Sequence, residues 1–138
     1  MIRQIQVATT RHEEFIDITA DVQAAVAASG AREGICAVFC RHTTAGVTIN
    51  ENADPDVRAD ILSALAKIVP SGPYRHAEGN SPAHVKASLL WSSVTVPVSE
   101  GRLVLGTWQG IYFCEFDGPR RRGVLVTIAA SSGEEQPS

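Results

Sequence analysis

No run of apolar residues in this 138-residue chain approaches the roughly 18 that a membrane span requires, so no membrane association is expected. The opening stretch MIRQIQVATT lacks the apolar segment of a signal peptide, nothing directs export, and a cytoplasmic location is expected. Basic residues are not in excess: 12 Lys and Arg stand against 15 Asp and Glu, a net charge of −3. Binding to a phosphate backbone or an acidic membrane surface needs a basic face, so nucleic acid is not an expected partner. There is no Walker-type glycine loop, which removes the signature of an ATPase. There is no HExxH or zinc-finger spacing, and no Gly-x-Ser-x-Gly elbow. Cysteine is sparse and odd in number, with no CxxC pair; Cys36, Cys40 and Cys114 all lie in apolar runs, as reduced, buried thiols do.

What is present fits one domain of ordinary composition, 44% apolar and 20% charged. The domain is expected over residues 1–130, with the polar 131–138 as a frayed tail. Ile2, Ile5 and Val7, then Phe15, Ile16 and Ile18, predict two short strands joined by the polar TTRHEE turn. Thr19 caps an alanine-rich helix that Gly30 stops. Gly34 to Cys40 is apolar at every position, as a strand buried on both faces would be. VTIN at 47–50 is a second strand. Asp54 and Pro55 open a helix, with Asp54 as cap and Pro55 in its first turn. Val57, Ile61, Leu65 and Ile68 recur at helical spacing until Pro70. Ser81 and Pro82 repeat the cap signal for a short helix over AHVKASLL. From residue 93 the pattern is strand throughout, read as an antiparallel meander. The fold class is α+β: mixed or antiparallel sheet with two to three helices.

Two polar stretches stand out against this frame: HTTAGVTINENADPD, from His42 to Asp56, and HAEGNSPAH, from His76 to His84. A purely structural strand or turn has little use for so many polar groups. His42, His76 and His84 could supply three nitrogens to a catalytic metal, or could each be a hydrogen-bonding loop residue. Asn50, Glu51, Asn52, Asp54 and Glu78 suit magnesium and a phosphorylated substrate, although Asp54 is already explained as a helix cap. Thr43, Thr44, Arg75, Lys86 and the helix start at Ser81 could cradle phosphate. Cys40 lies two residues before His42, so the two share a strand face about 6–7 Å apart, too far for a nucleophile–base hydrogen bond. Cys40 reads as a pocket wall. The arginine run 120–122 reads as a solvated turn.

HTTAGVTINENADPDV, YRHAEGNSPAHVKASLL, SVTVPV and GRLVLGTWQGIYFCEFDGPR together resemble the YjbQ family, also called UPF0047, over nearly the whole chain. The resemblance implies a small α+β homotrimer with a histidine-lined polar pocket that holds a divalent metal, zinc or magnesium. Carried over residue by residue, that pocket comprises His42, Asn50, Glu51, Asn52, Asp54, His76, Glu78, Asn80 and His84, with Thr107, Trp108 and Gln109 at its rim. His42, His76 and His84 would ligate the metal or act as acid–base groups, and Glu51 or Glu78 would accept a proton. Members carry the label secondary thiamine-phosphate synthase. That label implies joining a pyrimidine pyrophosphate to a thiazole phosphate with release of pyrophosphate, as a main or a weak side activity. A metal-dependent hydrolase and a non-catalytic trimeric binding module are the alternatives. Trp91 departs from the small residue, such as glycine, that the family carries there.

Overall fold

The computed structural model describes residues 2–131; most of the expected tail lies outside the described residues. The elements, in order, are β1 Ile2–Ala8, β2 Glu14–Asp17, α1 Thr19–Ser29, β3 Gly34–Phe39, β4 Ala45–Glu51, α2 Pro55–Ile68, α3 Ser81–Leu90, β5 Ser93–Ser99, β6 Arg102–Leu103, β7 Gln109–Glu115 and β8 Arg121–Ala130. The class is α+β. β1, β8, β3, β5 and β6 form one sheet in that spatial order, and β2, β7 and β4 form a second. Every described pairing is antiparallel. No helix is long and apolar enough to cross a membrane.

Period-2 alternation explains how the layers meet. Cys36 and Val38 of β3, Val124 and Val126 of β8, and Val96 and Val98 of β5 point inward to meet Val22, Ala25 and Val26 of α1. Val47 of β4 and Ile111 and Phe113 of β7 close this core from the second sheet. The other face of β7 offers Tyr112 and Cys114 to a second core, filled by Leu65 of α2 and Ala83 and Ala87 of α3. β7 is therefore the strand buried on both faces. β3, which the sequence predicts in that role, buries only one: Ile35 and Phe39 are 50% and 44% exposed on the outer face of the five-stranded sheet.

Three further expectations are corrected. Strands after residue 93 are not a meander, because β7 leaves the first sheet for the second and β8 returns to pair with β1 and β3. The two expected N-terminal strands are both present, one in each sheet. Thr19 is not the cap of α1: Ile18 holds that position, while the Thr19 hydroxyl bonds Asp17 and accepts the Ile111 N–H at 2.8 Å. α3 likewise begins at Ser81 itself, with Asn80 at the cap position. α2 matches its local signals, with the Asp54 carboxylate accepting the Asp56 N–H at 2.9 Å and Pro55 in the first turn.

Candidate functional site

The second polar stretch reaches the first because α3 lies directly on β4. Gly46 permits that approach, since a Cβ there would sit 2.6 Å from the Trp91 carbonyl oxygen. The Val47 N–H donates to the same oxygen at 3.2 Å. This contact sets His84, in the first turn of α3, across from His42 and Thr43 in the link before β4. His42, Thr43, His84, Ser88 and Trp91 line one cavity of about 400 Å³. The loop before α3 brings His76 edge-to-face against His84, ring centres 5.5 Å apart. Nε2 of His76 lies 2.9 Å from a Glu78 carboxylate oxygen. Of the sequence-selected groups, His42, Thr43 and His84 line this cavity, and His76, with Glu78 behind it, adjoins it through its contact with His84.

His42 is the most constrained of them. Its Nε2 accepts the Gly123 N–H at 3.1 Å, so the neutral ring carries its proton on Nδ1. Its ring packs edge-to-face on Phe113. Burial, reinforced by the Arg122 charge and only partly opposed by Glu115, pushes its pKa below the ordinary histidine value. At neutral pH it is an uncharged imidazole. Behind it lies a network the sequence reading missed. Arg122 forks onto the Glu115 carboxylate, its Nε donating at 2.8 Å and its Nη2 making the second bond. The same Nη2 donates to the Thr44 hydroxyl at 2.9 Å. Glu115 also accepts the Thr9 hydroxyl and the Asp117 N–H. Burial alone would raise the Glu115 pKa, but the Arg122, Asp117 and Thr9 bonds outweigh it and hold the carboxyl below its usual range. The arginine run is therefore not uniformly solvated: Arg122 is only 8% exposed. The available signal was Glu115 itself, a lone acid within the apolar run IYFCEF, which must find a partner if the strand is buried.

The acidic and amide half of the first stretch is elsewhere. β4 runs seven residues, about 20 Å, away from the histidines before reaching Asn50 and Glu51. There Asn50 accepts the Glu51 N–H, and the Glu51 carbonyl accepts the Tyr112 hydroxyl at 3.0 Å. Asn52 donates to Asp17 at 3.2 Å, and its N–H reaches the Trp108 carbonyl. Gly110 leaves room for the Asn52 side chain, which a Cβ would strike at 2.5 Å. Gln109 accepts the Gly106 N–H at 2.8 Å. Thr107, Trp108 and Gln109 are all exposed. Asn50, Glu51, Asn52, Asp54 and Thr107 to Gln109 therefore form one surface cluster. Within one chain it stands at the opposite end of β4 from the histidines.

The expected phosphate cradle is not assembled. Lys86 is buried and ion-paired to Glu13 at 2.5 Å. Thr44 is committed to Arg122, while Thr43 and Arg75 are exposed. At the start of α3, Pro82 has no N–H, and the Ala83 and His84 N–H groups are taken by the Asn80 carbonyl. The Asn80 amide donates to Asp117 at 3.0 Å. Nor do the three histidines fit a shared metal within the chain, because the His42 Nε2 lone pair is spent on Gly123. Among the described residues no three His, Cys, Asp or Glu side chains are placed to hold a metal ion. Cys40 packs as a wall, its thiol donating to the Ala45 carbonyl at 3.4 Å, and burial raises its pKa away from a reactive thiolate.

Comparison with known proteins gives one consistent outcome. The family profile described as "UPF0047 protein YjbQ-like" matches residues 3–131. The YugU protein of Bacillus subtilis is 52% identical over 130 residues, covering 93% of this chain and 98% of that one. A Methanocaldococcus jannaschii relative is 47% identical, covering 93% and 94%. A crystal structure of a Clostridium acetobutylicum relative superposes with a TM-score of 0.90 at 56% identity, over 92% of this chain and 99% of that one. One from Sulfolobus solfataricus, described as of unknown function, gives 0.91 at 38%, over 95% and 97%.

Proposed function

This chain belongs to the UPF0047 family of YjbQ-like proteins, and on that premise we propose that it is an enzyme acting on a small phosphorylated substrate through its histidine cavity. The observation that carries the reading is the convergence of His42 and His84 on one cavity, with His76 stacked against His84 and ion-paired to Glu78. His42 is suited to donate a hydrogen bond, because its Nε2 accepts the Gly123 N–H and the neutral ring carries its proton on Nδ1. Glu78, 2.9 Å from Nε2 of His76, orients that ring against His84. His84 opens on the same cavity as His42, with His76 against its ring.

The concrete reaction is the one the family resemblance implies: transfer of a pyrimidine unit from its pyrophosphate ester to a thiazole phosphate. The thiazole ring nitrogen forms the new C–N bond with its lone pair as the C–O bond to pyrophosphate breaks, so no proton leaves the thiazole, and the ring N–H groups of His42 and His84 are suited to hydrogen-bond the departing pyrophosphate. A divalent ion, zinc or magnesium, would supply charge neutralisation at pyrophosphate; no step is routed through it here, because the in-chain ligand set does not assemble.

A homotrimer belongs to the same proposal. Ile35 and Phe39 leave an apolar sheet face uncovered, and a neighbouring protomer seated there would bury it. Assembly also offers a way to bring the Asn50, Glu51 and Trp108 cluster of one protomer to the histidines of the next. The test incubates purified protein with the two half-molecules, and separately with a panel of phosphate esters and amides, each with and without added magnesium, zinc or manganese. Thiamine phosphate and pyrophosphate in equal amounts are expected in the first. Hydrolysis of an ester or amide without any joining would favour the metal-dependent hydrolase, and no consumption of any substrate would leave a binding module.

A further inference from the structure

A second and larger cavity, about 550 Å³, opens where β1, β8 and the link after β3 meet on the outer face of the five-stranded sheet. Its side-chain donors are Gln4, Gln6, Arg41, Arg121 and the Glu115-paired Arg122, and His42 also lines it. No Asp or Glu lines it. Among the described residues neither Arg41 nor Arg121 has a carboxylate within ion-pairing distance, whereas Arg120 and Arg122 each do. In a chain with a net charge of −3, two unpaired guanidinium groups opening on one acid-free cavity form a local excess of positive charge. Gly123 keeps the floor open, since a Cβ there would come within 3.1 Å of the Gln4 amide nitrogen. His42 borders this cavity on one side and the histidine cavity on the other.

We propose that Arg41 and Arg121, aided by the amides of Gln4 and Gln6, form an oxyanion-binding subsite that seats the phosphoryl group of the substrate beside His42. Guanidinium groups bind such oxygens bidentately and keep their charge at any working pH. The assignment rests on the phosphorylated-substrate reading above, but its test does not need turnover.

Isothermal titration of the full chain with inorganic phosphate is compared among wild type, Arg41→Ala/Arg121→Ala, Arg41→Lys/Arg121→Lys, and Arg102→Ala. Arg102 is exposed on β6, at the far edge of the same sheet. Wild type and Arg102→Ala are expected to bind one phosphate per chain, more weakly as salt rises. The double alanine variant is expected to lose affinity at least tenfold, and the double lysine variant to retain part of it. A thiazole phosphate should bind at the same site, and the corresponding thiazole alcohol should not. Equal binding by the double alanine variant, or none by wild type at millimolar phosphate, overturns the proposal. Binding of free phosphate but not of the ester overturns the substrate subsite. Protein that binds as expected yet turns nothing over refutes the enzyme and leaves the subsite standing.

Discussion

Removing Glu115 should destabilise the protein more than any change at the exposed polar stretches. The carboxylate is fully buried, and it alone neutralises Arg122, which is 8% exposed. In Glu115→Ala the guanidinium keeps only Thr44 as a side-chain partner and cannot shed its charge. Breaking a buried pair from one side costs about 3–5 kcal/mol, against a total stability of roughly 5–15 kcal/mol for a natural domain. At this chain length that is a fall in melting temperature on the order of 10–20 °C. Arg122→Ala should cost a similar amount, because Glu115 would then rely on the Thr9 hydroxyl and the Asp117 N–H. The double variant should cost clearly less than the sum of the two, since it leaves no orphaned charge. Urea unfolding at pH 7, at one fixed protein concentration so that any assembly contributes equally, measures all three. Single-variant losses below about 1 kcal/mol, or strict additivity, would refute the reasoning, because surface ion pairs behave that way.

Three other outcomes follow from the same contacts. Gly46→Ala should destabilise by about 1–3 kcal/mol and lower kcat/KM, because its methyl group pushes α3 and His84 off β4; calorimetry beside the joining assay checks both. Acid should weaken the fold through His42. Its folded pKa lies below the unfolded value of about 6.5, so the unfolded chain takes up protons first and stability falls as pH drops below that value, with Glu115 adding a loss at lower pH. The urea midpoint of His42→Gln should accordingly change less between pH 7 and pH 5 than that of wild type. Lys86→Met should leave phosphate affinity unchanged, because that ammonium is committed to Glu13; a tenfold weaker phosphate titration would return Lys86 to the binding site.

The parts of this fold that were legible in the sequence are those written locally. α2 announces itself through Asp54, Pro55 and an apolar stripe, all within its own fifteen residues. Strand positions were legible for the same reason, through alternation. Sheet membership was not. Whether IYFCEF pairs with GVLVTIA or with AGVTINE is decided by distant partners, and the structure chooses the latter. The uniform apolarity of GICAVF pointed to burial on both faces, yet Ile35 and Phe39 stay half-exposed on the outer one, because no helix among the described residues packs there. At the site, the histidines were legible because polar, glycine-rich surroundings mark loops that carry chemistry. The distance between His42 and Glu51 was not, because a continuous motif that runs along a strand separates its ends. Glu115 and Arg122 stayed hidden because their contact crosses from one sheet to the other, and nothing in RRR tells which arginine turns inward.

The central claim is that the histidine cavity carries out chemistry, and His84 tests it most directly. It joins the two halves of that cavity, contacts His76, and holds no part of the buried networks that support the fold. His84→Ala should therefore unfold within about 1 kcal/mol of wild type, as half-exposed substitutions do, while its rate of thiamine phosphate formation falls by a factor on the order of 100 or more. A folded His84→Ala protein that forms product at the wild-type rate would contradict the account.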